Sequence, residues 1–188
     1  MAARGRGEKN QLLMGYVEEL TRAMTMLAAH PRSIFLGQSI VAGGTGLHRT
    51  FQNVPAEKKI EMPVMEDAQL GASIGLALGG FLPISCFPRV NFLLVAMSQL
   101  ALHLDKISLY SDYRPKVIIR SVTANDIPLD PGAQHKFDYV PGLRLMLKTE
   151  EVVELNRAKD IVEQYHWAMT RDDGVSSLIV EKMGLYDA

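Results

Sequence analysis

No charged residue lies between Asp67 and Arg89, and this long apolar run follows directly on the acidic pair Glu66-Asp67. Three readings of the stretch compete: a membrane span with an acidic flank, a plain buried helix, or a carboxylate aimed into an apolar pocket. A span needs about 20 apolar residues in one uninterrupted element. Gly79, Gly80 and Pro83 interrupt this run, dividing it into a helix, "EDAQLGASIGLALGG", and a strand, "FLPISCF". A helix that turns on glycines straight into a wholly apolar strand argues for a layered α/β domain rather than a bilayer.

The rest of the chain repeats that alternation. The segment from Asn10 to Ala29 carries Leu12, Leu13, Tyr16, Val17, Leu20, Met24 and Leu27 at helical spacing, with Glu18, Glu19 and Arg22 on the polar face. A short apolar strand, Ile34 to Leu36, follows, then the glycine-rich "QSIVAGGTG", then a short helix around "LHRTFQNV". "KKIEMPV", "FLPISCF", "PKVIIRSV", "LRLMLK" and "SSLIVEK" read as further strands. "VNFLLVAMSQLALHLDKISLY" is apolar nearly all round, which predicts a central buried helix. Thr149 before Glu150 and Glu151 predicts a capped start for the helix that runs through Trp167 and Met169. Apolar strands alternating with helices predict one doubly wound, mostly parallel sheet with helices on both faces.

Composition fits that fold and excludes several functions. A chain of 188 residues suits one domain and buries about 70% of its unfolded surface. Lys plus Arg number 20 against 21 for Asp plus Glu, so the basic excess of a nucleic-acid binder is missing. Cys86 is the one cysteine, which rules out an internal disulfide and fits a reducing, cytoplasmic compartment. The basic start "MAARGRGEKN" lacks an apolar core behind it, so residues 1–9 read as a flexible tail and residues 10–188 as the domain.

Few motifs carry chemistry by spacing alone. "VAGGTG" has neither the Lys-Ser/Thr ending of a phosphate loop nor the order of a dinucleotide fingerprint, which leaves either a flexible loop or a backbone approached by a ligand. Gly71, Gly75 and Gly79 share one helix face, implying a close neighbour there. Glu66, in the first turn of that helix, either complements the helix dipole or serves as a pocket carboxylate set among Val64 and Leu70. His135, in the Pro- and Gly-rich "PLDPGAQHKFDYVPG", is either a solvated loop histidine or an acid–base group. The histidine spacings suit no transition metal, and Cys86 inside an apolar strand reads as a structural thiol.

Taken together, these pieces resemble a known family. "MPVMEDAQLGASIGLALGGFLPI" is similar to the segment of thiamine-diphosphate enzymes that runs T-P-I-x-E-x-x-x-x-G-x-A-x-G-x-A-x-x-G-x-x-P. The resemblance is to the pyrimidine-binding domain of transketolases and of 2-oxo acid dehydrogenase beta subunits. "IFLGQSI", "VNFLLVAMSQL", "GAQH", "PGLRLMLKTEEVVEL" and "RDDGVSSLIVEKMGLY" match further marks of that domain in the same order, from about Asn10 onwards.

The resemblance implies a function and a site. Glu66 would hydrogen-bond a ring nitrogen of the cofactor's aminopyrimidine, favouring the tautomer that deprotonates the thiazolium carbon. Phe92, Val64 and Gln38 would line the cofactor, and His135 would act near the substrate. Arg89 would suit an anionic substrate. The resemblance also implies that thiamine diphosphate's Mg2+ is held by a partner subunit carrying the diphosphate-binding domain, in a hetero-oligomer such as a heterotetramer. Decarboxylation of a 2-oxo acid or transfer of a two-carbon unit is the implied reaction, and a degenerate, non-catalytic partner domain is the alternative. Gln38 stands where many relatives have an acid, Arg89 and Val90 where they are often aromatic, and the family's C-terminal domain has no counterpart in these 188 residues.

Overall fold

A computed structural model describes residues 15–123 and 130–186. The expected tail and the helical positions Leu12 and Leu13 lie outside the described residues. The elements in chain order are α1 (Tyr16–Ala29), β1 (Ser33–Gly37), α2 (Gly46–Arg49), β2 (Lys59–Glu61), α3 (Glu66–Leu78), β3 (Leu82–Phe87), α4 (Ile107–Tyr110), β4 (Ile118–Thr123), α5 (Val140–Met146), β5 (Glu151–Leu155), α6 (Ile161–Thr170) and β6 (Ser177–Lys182). Six strands form one sheet in the order β2-β1-β3-β4-β6-β5, and every neighbouring pair is parallel.

Parallel strands need cover on both faces, and the sequence provides it. All six residues of β3 are buried. On one face α1 and α6 pack through Leu20, Met24, Leu27, Ile161 and Tyr165 against Phe35, Ile84, Ile118 and Ile179. On the other, Leu70 and Ile74 of α3, Leu93, Leu100 and Leu104 of the following segment, and Val140 and Leu143 of α5 cover Phe87, Ile119, Leu178 and Val180. The expected doubly wound α/β sheet is therefore present. Cys86 is buried in β3, and burial pushes its thiol up to about 12, as a structural cysteine requires.

Three local expectations are overturned. "LRLMLK" is not a strand: Val140–Met146 is helical, with proline in its first turn. Leu143, Leu145 and Leu147 alternate along the sequence, but Leu143 and Leu147 bury while Leu145 is exposed, which is an i,i+4 pattern. The expected helix start at Thr149 is a turn leading into β5, where Val152 and Val153 favour the extended chain. The Thr149 hydroxyl donates to the Asp105 carbonyl at 2.5 Å instead of capping a helix. Helix α6 begins only at Ile161.

The segment from Val90 is likewise not one buried helix. It runs as a 3-10 turn (Val90–Leu94), a π-helical stretch (Ser98–Leu104) and the short α4. Two tethers bracket the π stretch: Ser98 and Gln99 donate to Asp67 at 2.5 and 3.3 Å, and the buried Asp105 carboxylate accepts the amides of Lys148 and Thr149 at 2.8 and 2.7 Å. The segment's outward face stays apolar, with Val95, Leu102 and Leu109 exposed by 61, 65 and 67%. The glycine face of α3 is closely approached at one point: a Cβ on Gly71 would lie 3.5 Å from Gln99, whereas Gly75 faces open space.

The sheet's far half is locked by a buried ion pair. Arg120 donates from Nε and Nη2 to the Glu181 carboxylate at 2.6 and 2.9 Å, and from Nη1 to Thr50 at 2.8 Å. Tyr165 donates to Glu181 at 2.6 Å and Tyr186 donates to its second oxygen. Burial alone would lower the Arg120 pKa, and Glu181 beside it raises it well above the ordinary value. Glu181→Gln leaves the guanidinium buried without its counter-charge, so it is expected to cost about 3–5 kcal/mol in urea unfolding. A double replacement, Arg120→Met with Glu181→Leu, is expected to recover most of that loss.

Glu150 is the opposite case. Both carboxylate oxygens are buried without a hydrogen-bond partner. Burial raises its pKa well above the usual value, Asp105 adds to the rise, and Lys106 offsets part of it. Below the ordinary carboxylate range the folded and unfolded chains both hold the proton, so Glu150 then has no effect on the pH dependence. As pH rises past that range the unfolded chain ionises first, and stability falls. Glu150→Gln should therefore be stabilising by roughly 1–3 kcal/mol at pH 8 and nearly neutral at pH 4, read from thermal unfolding at both values.

Candidate cofactor site at the carboxyl edge of the sheet

In open parallel sheets, ligands bind beyond the carboxyl ends of the strands. At that edge β1 ends in Gly37, whose φ of 145° and tight surroundings admit no side chain: a Cβ there would lie 2.1 Å from the Cys86 carbonyl. The chain then turns through Gln38 and Ser39, the latter at φ 62°. The next amides converge on one acceptor. Ser39, Ile40, Val41 and Ala42 donate to the Glu61 carboxylate at 2.7, 2.9, 2.6 and 3.2 Å. Four consecutive N–H groups around an anion form a nest, so the start of "VAGGTG" is an anion cradle filled by the chain's own glutamate.

Glu66 opens α3 and is 5% exposed. Its neighbour Asp67 is engaged by Ser98 and Gln99, while the Glu66 carboxylate has no hydrogen bond or ion pair among the described residues. One turn on, Gln69 shares its face. The Gln69 amide donates to Ser85 Oγ and the Cys86 carbonyl, both at 3.1 Å, leaving its Oε1 buried and without a partner. Gln38 Nε2 and Ser121 Oγ are buried and unpartnered in the same way. Register places these groups together on the edge, since Gly37 pairs with Cys86 and Phe87 pairs with Ser121. Buried polar atoms ordinarily find partners. A row holding a free donor, a free acceptor and a carboxylate fits a nitrogen heterocycle, which presents both donors and acceptors.

A second group lies past β3. Arg89 precedes the 3-10 turn Val90–Leu94 and is half-buried. Phe92, in that turn, meets the His135 ring edge-on, with centroids 5.6 Å apart and planes at 71°. His135 Nδ1 lies 3.2 Å from Asn91 Oδ1, and its Nε2 lies 3.3 Å from Gln134 Nε2. The structure thus joins Phe92 to His135, while Glu66 starts the helix whose Gln69 holds the end of β3 and Gln38 follows the end of β1. Among the described residues no hydrogen bond or ring contact links the two groups. Val64 is 77% exposed beside the start of α3, so Leu70, which is buried, is the apolar neighbour that packs inside. Asn91 and Gln69 escaped the sequence reading; Gln69 was signalled by its place three residues after Glu66, and Asn91 by nothing local. No cluster able to hold a metal ion occurs among the described residues, and none of their helices is long and apolar enough to cross a membrane.

Burial on its own would raise the Glu61 pKa, but the four amides together hold it below the ordinary carboxylate value. Its stabilising effect is therefore present at neutral pH and is lost as pH falls through the folded value. Wild type should exceed Glu61→Gln in stability at pH 7, and the difference should shrink as pH falls below the ordinary carboxylate range and vanish once it is below the lowered folded value. Amide exchange of residues 39–42 in both proteins measures it.

Comparison with known proteins gives the site its context. No protein-family model matches the sequence. The beta subunit of the pyruvate dehydrogenase E1 component from Mesostigma viride is 26% identical over 132 residues, covering 64% of this chain and 39% of that protein. A split-gene transketolase, described as an inactive beta4 tetramer, superposes with a TM-score of 0.68 at 16% identity, over 90% of this chain and 51% of that one. A proposed thiamin diphosphate-dependent enzyme from Mycobacterium smegmatis superposes at 0.60 with 10% identity, over 90% of this chain and 31% of its own. The chain spans about half or less of the length of these proteins. The sequence is thus similar to part of a pyruvate dehydrogenase beta subunit, and the fold is shared with a split-gene transketolase and with a second thiamin diphosphate-type protein.

Proposed function

We propose that this chain is the pyrimidine-side subunit of a two-chain thiamine-diphosphate enzyme that cleaves or forms a bond next to a carbonyl, as in 2-oxo acid decarboxylation or two-carbon transfer. The observation that carries the reading is Glu66: an acidic residue only 5% exposed at the first turn of α3, with no hydrogen bond or ion pair among the described residues. The unpartnered Gln38 Nε2 and Gln69 Oε1 on the same edge support it. When bound, thiamine diphosphate supplies the electron sink such a reaction needs.

The chain's own residues do the rest. The Glu66 carboxylate would share a proton with a ring nitrogen of the aminopyrimidine, and its low exposure would limit water's competition for that proton. Gln38 Nε2 donates a hydrogen bond into the same pocket. Phe92 and Val64 provide apolar wall, His135 exchanges a proton with the substrate, and Arg89 binds the substrate's anionic group. Magnesium and the diphosphate belong to a partner subunit in a cytoplasmic hetero-oligomer. The exposed apolar side chains Val64, Met65, Val95, Leu102 and Leu109 support a protein partner.

A second reading has one observation in its favour. The split-gene transketolase that shares this fold is described as an inactive beta4 tetramer. On that reading the chain is a structural or regulatory partner that assembles without catalysis. Co-expression with a diphosphate-binding subunit separates the two. We expect activity from the mixture alone, and a fall of about 10²–10⁴-fold in kcat for Glu66→Gln. Equal activity of the variant, or no cofactor binding in any mixture, would sink the catalytic reading in favour of the structural one.

A further inference from the structure

The contacts of His135 point to a definite proton arrangement. Its Nδ1 faces the side-chain oxygen of Asn91 at 3.2 Å. That oxygen can only accept, so Nδ1 carries the hydrogen. Its Nε2 faces the amide nitrogen of Gln134 at 3.3 Å. An amide nitrogen can only donate, so Nε2 holds a lone pair. Both contacts fit the same tautomer, with the hydrogen on Nδ1.

The surroundings fix this geometry. Asn91 sits in the 3-10 turn between buried Val90 and Phe92, and that turn is closed by Phe92 N–H to the Arg89 carbonyl at 3.1 Å. His135 ends its own 3-10 turn, which follows Gly132 at φ 86° and is closed by the His135 amide to the Gly132 carbonyl at 3.1 Å. Phe92 packs edge-on to the imidazole, so the ring is held on one side while Asn91 grips Nδ1. Asn91 and His135 are 44 residues apart in sequence, which makes this contact a product of the fold.

We propose that Asn91 is the positioning residue for His135, holding the imidazole in the Nδ1–H form so that the Nε2 lone pair is the face turned to substrate. The inference rests on the catalytic reading above and adds a chemical consequence. Nε2 in this form accepts a proton or hydrogen bond and repels an anionic oxygen. It therefore addresses a hydroxyl or other donor of the substrate, leaving carboxylate or phosphate to a cation such as Arg89. Gln134 covers Nε2 until a substrate donor takes its place.

The test reads the tautomer directly. In the full chain with 15N-labelled histidine, above neutral pH, the His135 resonances are identified by their loss in His135→Gln. Nδ1 should appear as a protonated, pyrrole-type nitrogen and Nε2 as an unprotonated, pyridine-type nitrogen. Asn91→Leu should shift both resonances toward an averaged position, Asn91→Asp should preserve the wild-type pattern, and Gln134→Ala should leave the tautomer unchanged. An Nε2–H tautomer in wild type, or an unshifted pattern in a folded Asn91→Leu protein, overturns the proposal. In the assembled enzyme, Asn91→Leu should lower kcat by about 10–100-fold, as outer partners of functional groups typically do, with Asn91→Asp rescuing it. A correct tautomer with unchanged kcat would uphold the positioning and overturn the catalytic role given to His135.

Discussion

The buried pair of Arg120 and Glu181 is the interaction on which the rest of this structure depends. It crosses from β4 to β6, and its further hydrogen bonds reach Thr50 after α2, Tyr165 of α6 and Tyr186 beyond β6. A charge pair in a dry core is costly to desolvate, and it is tolerated here because most of its valences are met. Arg120 also stacks its guanidinium 4.9 Å from the Phe51 ring. The pair thus ties a loop, a helix and the chain's last described turn to the middle of the sheet, fixing the strand ends that carry the site.

The two adjacent acids at the head of α3 show how the fold divides labour between identical charges. Asp67 is spent on Ser98 and Gln99 and sets the register of the π-helical stretch. Glu66 is 5% exposed and has no hydrogen bond or ion pair among the described residues. An unpartnered buried carboxylate is an energetic burden unless something else meets it. Glu150 bears that burden at the other end of the sheet, where both of its oxygens are buried without a partner and Asp105 lies close enough to worsen it. The difference is company: beside Glu66 the edge carries other unmet polar atoms of complementary kind.

Much of the architecture was legible in the sequence because apolar β-branched runs and glycine breaks act locally. "PKVIIRSV" and "SSLIVEK" could hardly be anything but buried strands. "LRLMLK" misled because six residues fit a period of two as readily as part of a helix, and the partner that decides between them is distant in sequence. The stretch from Val90 misled differently: apolar content signals burial, yet here Val95, Leu102 and Leu109 stay exposed. Glu66, Phe92 and His135 were reached through resemblance rather than through spacing. The Asn91 contact could not be reached at all, since no periodicity links positions brought together only by the sheet.

The Glu61 cradle has a consequence for ligand choice. A carboxylate held by the fold next to its four donors acts as a competitor at an effective concentration in roughly the millimolar range or above. Free inorganic phosphate or a diphosphate arm would have to displace it before those amides became available. The loop that most looks like an anion trap is therefore self-occupied, and an anion reaching this edge meets a carboxylate already seated in the four amides.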